Sequence, residues 1–204
     1  MQKPLFRGVI HLFSFLFYVA FYIRTTRNYY TLLLQCYNIV IFCTFFMSSV
    51  YHLYSKKGTV LYGRLQRLDH SMIYILILTT YLVYKKLCMH EIEGIVENVV
   101  FVCTISGVLL KIWDINVSKF VCYSLYALSS FAFLFYLRVF QSLFDNHPFV
   151  FLMVCIGGCF YSFGATCFLK QCPNLIPGVL EYHEVFHFFV FLGTSCFFFP
   201  LLTI

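Results

Sequence analysis

The sequence predicts an all-α, polytopic membrane protein, a bundle of seven transmembrane helices, and three observations carry that prediction. Hydrophobic residues make up 61% of the 204 and charged residues only 11%, where a soluble domain carries roughly 25% charged residues. With so few charges the chain cannot solvate its own surface, so lipid is the solvent its composition fits. The apolar residues fall in seven continuous runs, each near the length of about 20 residues that a helix needs to cross a bilayer. The runs do not alternate in polarity every second residue, as the shorter strands of a membrane barrel would.

The runs cover residues 5–23, 30–53, 68–84, 95–113, 120–137, 148–169 and 178–202. The first resembles a secretory leader in its apolarity. Its length, the Arg24 and Arg27 that follow it, and the lack of a small-residue cleavage site make it a span instead. The second and third are separated by Lys56, Lys57 and Gly58, and the third and fourth by a stretch from Lys85 to Glu93. Asp114 and Asn116 part the fourth from the fifth. Asp145, Asn146, His147 and Pro148 precede the sixth, and Gln171 and Pro173 precede the seventh. These breaks leave no room for a soluble domain. The 27 Phe and 16 Tyr suit lipid-facing and interfacial positions.

The formal charge of +6 comes from 14 Lys and Arg spread among the connections rather than gathered in a stripe, so no nucleic-acid partner is expected. Membrane lipid is the expected partner, and no protein partner is named. Nine basic residues fall in segments on the side of the N-terminus (Lys3, Arg7, Lys56, Lys57, Arg64, Arg67, Lys111, Lys119, Lys170). Five fall on the other side (Arg24, Arg27, Lys85, Lys86, Arg138). The bias predicts a cytoplasmic N-terminus. The ten cysteines form no CxxC pair, which supports neither a disulfide framework nor a thiolate site. Cys155 and Cys159 share a helix face and are read as packing.

Ionisable groups inside spans cost about 2.5–3.5 kcal/mol at the helix centre on insertion scales, so each requires a reason. The second run ends in Ser48, Ser49, Val50, Tyr51 and His52, the third begins Leu68, Asp69, His70, Ser71, and the seventh begins His183, Glu184, Val185, Phe186, His187. Even spans end where odd spans begin, so these three pieces share one membrane face. His183 and His187 are four apart and project from one face of a helix, a bidentate grip on a metal. With His52 as a third nitrogen they predict a zinc site with an open position, whose water would be a nucleophile near neutral pH. Asp69 would orient that water, act as general base, hold a histidine from behind, or serve as a plain N-cap. Ser48, one turn deeper than His52, would touch the water or a developing oxyanion, or simply pack. His11, His90 and His147 are read as interfacial residues. His70 is read as a polar contact, and Glu184 is expected to face the aqueous side.

The sequence resembles the haemolysin III family, within the progestin and adipoQ receptor superfamily. Arg7-Gly8-Val9-Ile10-His11 is similar to the family's RGxxH, Ser48 to His52 to SxxYH, and Arg67 to Ser71 to RLDHS. Gly157-Gly158 with Tyr161 and Gly164 resembles GGxxYxxG, and His183 to Gly193 resembles HExxHxxVxxG. The third run departs from the family. Ile77-Leu78-Thr79-Thr80-Tyr81-Leu82 stands where an AGTYTP-like segment is usual, without its Gly and Pro. The resemblance implies seven helices, a cytoplasmic N-terminus and zinc within the inner leaflet on His52, His183 and His187, with Asp69 on the zinc-bound water and Ser48 beside it. It also implies a candidate activity, hydrolysis of ceramide-like lipid amides. A lytic, pore-forming protein with structural zinc and a ligand-sensing receptor are the alternatives. HExxH is also the zincin signature with Glu184 as base, but of Asp, Glu, His and Cys only Cys196 follows His187, which leaves an intramembrane protease short of a ligand.

Overall fold

The structure, a computed structural model, describes residues 6–25, 32–54, 58–88, 94–115, 117–131 and 137–203. Among them lie α1 (Phe6–Thr25), α2 (Leu32–Tyr54), α3 (Val60–Cys88), α4 (Gly94–Ile112), α5 (Lys119–Phe131), α6 (Leu137–Asn146), α7 (Pro148–Lys170) and α8 (Tyr182–Phe198), the last ending in a 3₁₀ turn over Phe199–Leu202. No strand occurs among the described residues. His90 lies outside the described residues, as do Lys3, Arg27, Lys56 and Lys57.

Five of these helices are long and apolar enough to cross a membrane: α2, α3, α4, α7, and α8 with its 3₁₀ extension. The apolar stretches Phe6–Tyr22 and Phe120–Phe131 are shorter. Large apolar side chains cover the outside of the bundle. Phe13 is 58% exposed, Val102 62% and Leu152 54%, a surface that water would not tolerate on a monomer but that acyl chains solvate. The chain is an all-α, polytopic membrane protein.

Two boundaries differ from the hydropathy reading. Helix α3 begins at Val60, well before the run at 68–84, because a helix can continue past the apolar layer once its charged side chains, here Arg64 and Arg67, reach water. The stretch after residue 137, expected as a connection, is helical as α6. Its Phe140, Leu143 and Phe144 recur at helical spacing, and Leu143 is fully buried, so α6 packs one apolar stripe against α7 with Phe140 and Phe144 near Phe151. Helix α3 runs unbroken through residues 77–82, where Gly and Pro were missing. The Thr79 and Thr80 hydroxyls donate back to the Ile75 and Leu76 carbonyls, bonds made inside α3 itself, and Thr80 is also a hydrogen-bond partner of Tyr37 of α2.

Sequential helices pack as neighbours from α1 to α5 and again from α6 to α8, and α8 returns to close the bundle against α1. Ion pairs mark the two ends. Arg7 pairs with Glu184, and Arg67 with Asp114 at 2.7 Å, at one end; Lys85 pairs with Glu97 at 2.8 Å at the other. The interior divides the same way. An apolar and aromatic core built on Tyr18, Tyr37, Phe45, Tyr84 and Phe198 fills the end that carries Lys85, and the histidines gather at the end that carries Arg7.

Candidate metal centre

His52 lies at the end of α2, and His183 and His187 lie in the first two turns of α8. The His183 and His187 ring centroids are 4.5 Å apart, one turn from each other on α8. His52, in the last turn of α2, lies 5.5 Å from His183 and 5.3 Å from His187. His187 is buried and its Nε2 has no hydrogen-bond partner. The tertiary structure brings in a fourth ring. His11, in the second turn of α1, lies 4.1 Å from His187 and 5.6 Å from His52, stacked nearly parallel to the latter.

His11 corrects the interfacial reading. It is 3% exposed, and neither of its nitrogens has a hydrogen-bond partner. One nitrogen from each of His11, His52 and His187 lies within 4.8 Å of the others. Zinc–nitrogen bonds are about 2.0–2.1 Å, so two nitrogens on one ion can be at most about 4.2 Å apart, a separation close to that of this set. Imidazole nitrogens suit a borderline-soft divalent cation, both of His11 and the Nε2 of His187 have no hydrogen-bond partner, and the donor set fits zinc. One signal for His11 was present in the sequence. Arg7, His11, Ser14 and Tyr18 recur at helical spacing on one face of an otherwise apolar segment.

The other expected residues fall around this cluster. Ser48 is buried one turn from His52 on the same face of α2. Asp69 is buried in the first half of α3, within electrostatic range of Tyr51 and Tyr126. The Tyr51 ring centroid is 4.5 Å from that of His52 and its hydroxyl bonds that of Tyr62 at 2.9 Å. Tyr126 donates to the His70 carbonyl at 3.0 Å, which ties α5 to α3 just after Asp69.

Glu184 corrects a second expectation. It does not face the aqueous side but is fully buried. Its Oε1 accepts from Arg7 Nε at 2.5 Å and its Oε2 accepts from the Glu181 backbone N–H at 2.9 Å. The second bond caps the start of α8 and the first anchors that start to α1. Both oxygens are committed, so Glu184 holds helices together and is not placed as the base of a zincin.

Close helix approach positions the imidazoles. At Gly164 of α7 an added Cβ would lie 2.9 Å from the Phe189 Cβ and 3.3 Å from the Phe186 carbonyl, so only glycine lets α7 approach the turn of α8 that follows His183. At Gly8 an added Cβ would overlap the Leu53 side chain. That glycine lets α1 reach the end of α2 and sets His11 beside His52.

Fold and site together define a class, a multi-pass helical membrane protein with a partly buried histidine cluster at one end of its bundle. The sequence profile of the haemolysin-III related family matches residues 1–198. The chain belongs to that family.

Proposed function

We propose that this haemolysin-III related protein is a zinc-dependent hydrolase of lipid amides, with its zinc on His52, His183 and His187. The observation that carries the reading is the proximity of these imidazoles, from helices distant in sequence, at one end of a largely apolar bundle. Zinc, when bound, supplies a Lewis acid and a water made nucleophilic at neutral pH. Asp69 accepts the proton of the attacking water and passes it to the leaving amine as the acyl C–N bond breaks. Ser48 donates a hydrogen bond to the acyl oxygen as negative charge develops there. The acyl chain enters from the lipid side. In this reading the N-terminus is cytoplasmic and the site lies in the inner leaflet.

The test pairs metal analysis with product detection. Purified protein is expected to carry about one zinc, and His52→Ala, His183→Ala and His187→Ala each to lower that content severalfold. Reconstituted protein with a ceramide-like amide is expected to release free fatty acid, and Asp69→Asn to slow release by 10²–10⁴-fold, the usual worth of a general base. Unchanged zinc in all three histidine variants would remove the metal. Zinc without acyl release, together with dye leakage from liposomes, would establish instead the lytic reading with structural zinc.

A further inference from the structure

We propose that His11 is a fourth metal-facing imidazole, and that α1, docked as it is here, closes the site that His52, His183 and His187 alone would leave open. The proposal rests on reading the histidine cluster as a metal site.

Proximity is the first support. The set of nitrogens within 4.8 Å of one another includes His11 together with His52 and His187. His183 lies outside that set but beside it, its ring centroid 4.5 Å from that of His187 and 5.5 Å from that of His52.

The second support is an unmet need. Both His11 nitrogens are without a hydrogen-bond partner while the residue is 3% exposed. A buried polar group left unpaired is costly, and a cation on one nitrogen offsets that cost. No hydrogen bond orients the ring for another purpose.

The third support is the way α1 is held. One turn before His11, Arg7 pairs with Glu184 of α8. Two turns after it, the Tyr18 hydroxyl bonds the Ser195 hydroxyl of α8 at 2.9 Å. Gly8 seats α1 against Leu53, next to His52. The helix is pinned on both sides of the imidazole it delivers.

Three protein nitrogens with one exchangeable position make an open, catalytic type of site, and four make a closed, structural one. His11 therefore decides which of the two this chain presents. With α1 docked, His11 stands where the open position would be, and hydrolysis requires that imidazole to give way to a water beside Asp69 and Ser48.

X-ray absorption at the zinc edge of the purified full-length protein counts imidazoles from their multiple scattering, before any variant is made. The expected wild-type spectrum fits four imidazoles, and that of His11→Ala three with one oxygen. His11→Ala is expected to retain about one zinc while its affinity, by chelator competition, falls at least about tenfold, since even groups behind the ligands are worth 10–100-fold. Three imidazoles and an oxygen in both proteins would overturn the role of His11 and leave the metal reading standing. No zinc in wild-type protein at saturating metal would overturn both.

Discussion

Glu184 shows how one buried side chain can serve two elements. Its carboxylate caps α8 through the Glu181 N–H and binds the Arg7 guanidinium, and the Arg7 side chain is only 15% exposed. Removing one partner of a buried pair leaves the other charge uncompensated, at about 3–5 kcal/mol. Glu184→Gln is expected to lower stability by about 3 kcal/mol in a denaturation series in detergent, and replacing Arg7 by Met in the same chain to recover most of it. An unchanged midpoint in the single variant would show that the pair contributes nothing. A protease base would behave differently, with activity lost and the midpoint intact.

At the scale of elements, the contact between α7 and α8 decides where the histidines of α8 lie. Gly164 faces Phe189 and the Phe186 carbonyl at distances a side chain cannot share, while Gly158 has nothing within 4 Å of an added Cβ. Gly164→Leu is expected to cost about 1–3 kcal/mol, the usual penalty of overpacking, and to lower zinc retention by moving His183 and His187. Gly158→Leu is expected to stay within about 0.5 kcal/mol of wild type. Equal effects of the two substitutions, read by thermal unfolding and metal content, would mean that helix propensity and not the interface sets the outcome. The neighbouring Tyr161 hydroxyl bonds that of Thr194 at 2.8 Å, a polar tie of the kind that holds helices together where the hydrophobic effect offers no driving force.

For the whole molecule, the ion pairs order the ends of the bundle. Arg7, Arg67, Asp114 and Glu184 mark the end that carries the histidines, and the turn after α7 leads into α8 at that same end. Cys172 lies in that turn and is exposed. If the basic-residue bias sets the orientation, a membrane-impermeant maleimide is expected to label Cys172 from the cytoplasmic side of sealed vesicles, with Cys172→Ser as control. Labelling from the opposite side alone would invert the assignment.

Composition places the chain in lipid, where the backbone must satisfy its own hydrogen bonds, and the length and continuity of the apolar runs choose helices over the shorter, alternating strands of a barrel. Parity alone places His52, Asp69 and His183 on one side, since crossing a bilayer leaves only two sides to choose from. Hydropathy misplaced the start of α3 and passed over α6, because it measures the apolar layer and not the helix, which continues wherever backbone bonding does. His11 and Glu184 were legible as residue types but not as partners. Their roles depend on which face of α1 meets α8 and how closely Gly8 lets α1 approach α2. The first is a matter of packing between segments more than 170 residues apart, the second of packing between neighbouring helices, and no local pattern carries either.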